Sequence, residues 1–281
     1  MAEYANPDVV VSTDWVAENL DNPNVRLVEV DVDTEAYAAG HIPGAVGWNW
    51  TTQLEAQVQR DIPSHEDWQE LLRASGIGND TKIVLYGDNN NWFATFAYWL
   101  ARMFGHEDAV IVNGGRKKWE LEGRPLVTEV PAVERTDYQA GSLDEGRRAL
   151  YDDVRQHIQQ AGAALVDVRS PAEFTGEIIA PPGLPETAQR AGRIPGATNV
   201  PWLSAVNEED GTFKSADELR EVYEGKGMTA DRDIVVYCRI GERSSHSWFV
   251  LSELLGYDKV RNYDGSWTEW GNIIRAPIAK G

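Results

Sequence analysis

Ile234-Val235-Val236-Tyr237-Cys238-Arg239-Ile240-Gly241-Glu242-Arg243-Ser244 runs from a short β-favouring stretch, through a glycine-bearing loop, towards a helix. The spacing predicts that helix from about Ser244 to Leu255, with Trp248, Leu251 and Leu255 on one face and Gly256 as its stop. Cys238 is the chain's only cysteine. It is expected at the carboxyl end of a parallel strand, opposite a helix N-terminus, which is the usual ligand crevice of an α/β sheet. Unpaired amides of the first helical turn, a nest of loop N–H groups and the guanidinium groups of Arg239 and Arg243 all favour a thiolate there. A free cysteine is more often a small buried hydrophobe, but the strand–loop–helix setting and its two arginines point to a nucleophile. A lone cysteine and five scattered histidines argue against zinc, an iron–sulfur cluster or a resolving-cysteine pair, so no metal is expected. His246 lies within the expected helix, one turn from the loop, where it is expected to point along the helix rather than over the sulfur, so a Cys–His pair is not expected.

Outward from this stretch, the chain repeats itself. Ile83-Val84-Leu85-Tyr86 matches Ile234-Val235-Val236-Tyr237, and Gly114 to Trp119 matches Gly265 to Trp270. Leu27-Val28-Glu29-Val30-Asp31 matches Leu165-Val166-Asp167-Val168-Arg169, and Gly40-His41-Ile42-Pro43-Gly44-Ala45 matches Gly192-Arg193-Ile194-Pro195-Gly196-Ala197. The second half carries extra residues between these last two blocks, where Pro181-Pro182-Gly183-Leu184-Pro185 reads as loop. The expected organisation is a first domain over 1–125, a linker over 126–146 and a second domain over 147–281. In each half a β-rich run (Val25 to Val30; Ala164 to Val168) precedes the Ile-Pro-Gly loop, and a second (Lys82 to Tyr86; Asp233 to Tyr237) precedes an amphipathic helix. Strands alternating with helices predict an α/β class, each domain a mainly parallel sheet flanked by helices. Asn89-Asn90-Asn91 is expected to be a loop, with the helix of Trp92, Phe96, Trp99 and Met103 after it.

At 281 residues the chain can bury a full core without disulfide or metal staples, and its 42 % apolar content excludes a disordered chain. The net charge is −19, a field that repels phosphate backbones and anionic bilayers, so neither nucleic acid nor membrane is an expected partner. Nineteen Arg and seven Lys accompany 45 acidic residues. That balance resembles proteins of high-salt cytoplasm, where about 1 M salt screens self-repulsion to within ~3 Å. The first residues, MAEYANPDVV, lack the blocks of a signal peptide, and a cytoplasmic location is expected.

Asp167-Val168-Arg169, Gly192-Arg193-Ile194-Pro195-Gly196-Ala197, the Cys238 to Ser244 loop and Asp264-Gly265-Ser266-Trp267 together resemble the tandem-domain rhodaneses, the thiosulfate/3-mercaptopyruvate sulfurtransferase family, over nearly the whole chain. The resemblance implies two rhodanese-like domains of which only the second is catalytic, and Gly87 stands where the first would carry its cysteine. It implies a Cys238 persulfide, a small-molecule sulfur donor, a thiol or cyanide acceptor and no cofactor. Substrate oxyanions would meet Arg243, Arg239, Arg193 and Arg169, with Gly241, Ser244 and Asp167 shaping the loop. Two positions depart from the family pattern. Glu173 stands where thiosulfate enzymes carry an arginine, and Arg193 replaces the histidine before Ile-Pro-Gly. Either the oxyanion contact has moved, onto Arg193 or Arg239, or the donor is not thiosulfate. Cys238-Arg239-Ile240-Gly241 keeps a cation after the cysteine, which favours thiosulfate over 3-mercaptopyruvate. Cysteine phosphatases of similar fold place one residue more between Cys and Arg, a wider cradle than this one. A persulfide carrier serving one dedicated protein partner is the non-enzymatic alternative.

Overall fold

The β-branched runs become the central strands of two five-stranded parallel sheets. A computed structural model of the chain describes residues 3–183 and 188–281; Leu184 and Pro185 of the expected loop lie outside them. These residues fall into two units. One is Asp8–Asp144 with Asn207–Phe213; the other is Glu145–Val206 with Lys214–Gly281 and the segment ending at Pro7.

In the first unit, β1 (Val10–Val11), β2 (Val25–Glu29), β3 (Val46–Gly47), β4 (Lys82–Tyr86) and β5 (Ala109–Val112) lie in the order β1-β5-β4-β2-β3. In the second, β6 (Arg148–Ala149), β7 (Ala164–Asp167), β8 (Thr198–Asn199), β9 (Ile234–Tyr237) and β10 (Val260–Tyr263) lie in the order β6-β10-β9-β7-β8. Adding five to each label of the first order gives the second, so the repeat seen in the sequence is a repeat of topology. Each ladder pair is parallel. Parallel strands covered on both faces need unbroken apolar runs rather than alternation, and β4 and β9 supply them. The cores repeat as well. Leu27, Ile42, Val84, Tyr86 and Trp119 pack in the first unit, and Leu165, Ile194, Val235, Tyr237 and Trp270 occupy the matching places in the second.

The helix after β9 spans Glu242–Phe249, two residues earlier than expected, and continues as a π-helical turn over Val250–Leu254. Gly241 causes the early start: at φ +102° it turns the chain directly from the loop into the first helical turn. In the first unit the corresponding helix, Asp88–Met103, is interrupted at Asn89, Asn90 and Asn91, all three in the left-handed region. Asparagine tolerates that region better than most residues, which explains the run. Among the described residues no helix is long and apolar enough to cross a membrane.

Candidate active site

Cys238 directly follows β9, the middle strand of its sheet, and is fully buried. Its backbone is anchored from the β10 side: the Cys238 N–H donates to Ser266 Oγ at 3.1 Å, and the Trp267 N–H donates to the Cys238 carbonyl at 3.1 Å. The loop then curls back so that the Gly241 N–H donates to Cys238 Sγ at 3.2 Å. Gly241 is required by two constraints. Besides its positive φ, a Cβ there would sit 2.6 Å from the Asp264 carbonyl oxygen. Its own carbonyl accepts from Ser244 Oγ and from Asn262 Nδ2, each at 2.9 Å, which closes the loop against β10.

Burial alone would push the Cys238 thiol up. It is outweighed by the Arg243 guanidinium, the Ser244 hydroxyl and the Ser244 and Gly241 amides, which bring the thiol below its ordinary value. A thiolate is thus favoured by one formal cation and a ring of preoriented donors.

Arg243 is itself held. Its Nη1 and Nη2 donate to Glu173 Oε2 and Oε1 at 3.2 and 3.0 Å, a bidentate pair buried at both ends. Glu173 is oriented by its own helix, Pro171–Thr175, where it occupies the third position of a capping box: the Ser170 N–H and Oγ both donate to its Oε2. Burial would raise this carboxyl, yet Arg243 and Ser170 hold it below the usual range.

Asp167 and Arg169 form a second buried pair. Arg169 Nε and Nη2 donate to Asp167 Oδ1 and Oδ2 at 2.9 and 2.6 Å, and Nη2 also reaches the Gly192 carbonyl at 2.7 Å. The guanidinium stacks 4.6 Å over Trp267. Tyr237 Oη donates to Asp167 at 2.7 Å while accepting from the Ile194 N–H at 3.1 Å. The Asp-x-Arg and Ile-Pro-Gly segments are therefore tied together beneath the cysteine loop, and Arg169 is occupied in holding them. Arg193 is turned to the chain end: Nη1 donates to the Gly281 carbonyl at 2.8 Å and the guanidinium lies 4.4 Å over Phe174. The group expected to meet substrate thus contacts Gly281 and Phe174. Arg239 is 3 % exposed, with its carbonyl accepting from the Thr268 N–H. His246 packs edge-on against Trp202, and burial pushes it down to about 3, so it is neutral. Among the described residues no cluster of His, Cys, Asp and Glu could hold a metal ion.

Two contributors lay outside the sequence expectations. Ser266 sits at φ +50° and donates to the Tyr263 carbonyl while receiving the Cys238 amide. Its counterpart 151 residues earlier is Gly115, at φ +54°; a serine aligned with a turn glycine was the available signal. The other is Glu173, visible only as a departure from the family pattern.

The first unit repeats the frame without a cysteine. A Cβ at Gly87 would lie 2.1 Å from the Val30 carbonyl oxygen, so no side chain fits where the cysteine would be. Glu29 takes the place of Asp167, with Tyr86 Oη donating to it at 2.5 Å and accepting from the Ile42 N–H, and Arg116 paired to it. Asp31 takes the place of Arg169. Burial and the charges of Glu29 and Asp88 push it up to about 9, so it carries a proton at neutral pH.

The model of the Rhodanese-like domain matches residues 12–122 and again 150–273. Over 285 residues the chain is 54 % identical to the "Putative thiosulfate sulfurtransferase" of Haloferax volcanii, covering 100 % of this chain and 99 % of that one. It is 56 % identical over 282 residues to the sulfur carrier protein TtuD of Thermus thermophilus, with 99 % of each covered. The crystal structure of the 3-mercaptopyruvate sulfotransferase SseA from Escherichia coli superposes with a TM-score of 0.80 at 28 % identity, covering 92 % of this chain and 98 % of that one. Two matches to one family model, one per sheet, and relatives similar from end to end place this chain in the rhodanese family as a tandem-domain member.

Proposed function

We propose that the protein is a sulfurtransferase that moves the sulfane sulfur of thiosulfate to a thiol or cyanide through a persulfide on Cys238. The observation that carries this reading is the Cys238 loop itself, a buried sulfur with its thiol lowered by Arg243 and receiving the Gly241 amide. In the first step the thiolate attacks the outer sulfur of thiosulfate; the new S–S bond forms as the old one breaks and sulfite departs with its electron pair. In the second, cyanide or a thiolate attacks the terminal persulfide sulfur, and the Cys238 thiolate is the leaving group. Both steps conserve charge and need no external oxidant. The amides of Gly241 and Ser244 are preoriented for the anion at each stage.

Two other readings have specific support. A relative 56 % identical is named as a sulfur carrier, which favours delivery of the persulfide to a protein partner. The structural likeness to a 3-mercaptopyruvate enzyme favours that donor instead. Intact mass after incubation with thiosulfate, beside Cys238→Ser, separates them. One added sulfur on the wild type alone, discharged by cyanide as thiocyanate, supports thiosulfate as donor. Loading by 3-mercaptopyruvate only favours the second donor, and loading without turnover on small acceptors favours the carrier.

A further inference from the structure

We propose that Glu173 is a positioning residue that sets the charge available to the Cys238 sulfur: by holding Arg243 in a bidentate pair, it keeps the thiolate reactive and weakens the hold of the site on dianionic donors. The inference rests on Cys238 as the sulfur that reacts.

The geometry begins with the pairing. Both Glu173 oxygens are used, Oε1 by Arg243 Nη2, and Oε2 by Arg243 Nη1 and the two Ser170 donors, so the carboxylate is fixed from both sides. Neither partner is exposed enough for water to screen the pair, with Glu173 at 0 % and Arg243 at 5 %. The charged groups around the loop are Arg239, Glu242 and Arg243 on the loop and its helix, Asp167 and Arg169 from the end of β7, Glu173 from its short helix, and Asp264 after β10, paired to Arg148. In formal charge, Asp167 with Arg169, Glu173 with Arg243, Asp264 with Arg148, and Arg239 with Glu242 each sum to zero. The Cys238 thiolate is then the excess charge on this set, and a thiosulfate dianion brings two more.

Two consequences follow. A thiolate that must share its cation is less stabilised, hence more basic and a stronger nucleophile than one facing a free guanidinium. A donor dianion also meets a weaker field than an unpaired arginine would provide. Glu173 thus exchanges ground-state affinity for reactivity.

The test uses the full chain with Cys238 as its only thiol, so alkylation by iodoacetamide reports one site without background. In Glu173→Gln the rate-versus-pH profile should move to lower pH by about one unit, and KM for thiosulfate should fall about tenfold with no gain in kcat. Glu173→Asp, which keeps the charge, should return the profile towards wild type. Ser170→Ala removes the Oγ bond to Glu173, leaves its charge freer for Arg243, and should move the profile the opposite way. If Glu173 were scaffold only, its loss would loosen Arg243, and the profile would stay or move to higher pH; either result overturns the proposal. If Glu173→Gln does not fold, the Ser170→Ala direction decides alone: an unmoved or lower profile overturns it. A shifted profile in a protein that thiosulfate cannot load would sustain Glu173's role and reject the donor. Loading with an unmoved profile would do the reverse.

Discussion

Replacing Asp31 by Asn tests the buried carboxyl pair of the first unit. Asp31 is 4 % exposed, accepts the Asp88 N–H on Oδ1 at 2.7 Å and faces Glu29, which is itself paired to Arg116. Burial first, and then the charges of Glu29 and Asp88, raise Asp31 from 3.8 to about 9. A group with a raised folded-state pKa stabilises the fold fully below its unfolded value and loses that contribution as pH climbs towards the folded value. The window here is therefore about pH 4 to about pH 9. Within it the wild type loses at most about 1.4 kcal/mol per pH unit from this one proton. Asparagine has the shape of the protonated acid: its oxygen can still accept from Asp88 and its amide can donate to Glu29. Asp31→Asn should match the wild type near pH 4 and exceed it by a margin that widens to a ceiling of roughly 4 kcal/mol at pH 7. Urea unfolding of both proteins at pH 5, 6, 7 and 8 measures the margin directly. Parallel curves, or a wild type that gains on the variant as pH rises, would refute a protonated Asp31.

Gly241→Ala should slow Cys238 alkylation at least tenfold and cost about 2 kcal/mol or more, because the added methyl meets the Asp264 carbonyl at 2.6 Å with the backbone at φ +102°. Restored rates in that variant would show that the loop can shift without loss. Gly87→Cys should not create a second sulfur site: its Cβ would lie 2.1 Å from the Val30 oxygen. The variant should be destabilised and, with Cys238 also replaced by Ser, gain no sulfur by mass; a loaded Cys at 87 would contradict the closed geometry.

What the chain order alone determined is whatever repeats or alternates along it. The paired blocks around Tyr86 and Tyr237 announced two like sheets, and the runs of β4 and β9 announced strands buried on both faces. Cys238, followed by Gly241 and Ser244, marked the candidate loop, because a strand-to-helix turn is a local event whose amides are supplied by adjacent residues. Short strands such as β3 and β8 carry too few residues for a pattern, and their pairing with β2 and β7 comes from tertiary contacts. Four arginines looked alike as oxyanion ligands. Only packing sorted them: Arg169 onto Asp167 and Trp267, Arg193 onto Gly281, Arg243 onto a carboxylate 70 residues away, and Arg239 into a buried position beside Thr268. The same holds for Asp31, whose proton depends first on burial and then on the nearby charges of Glu29 and Asp88. A side chain's charge is written in the sequence, but its partner and its dielectric surroundings exist only once distant segments pack together.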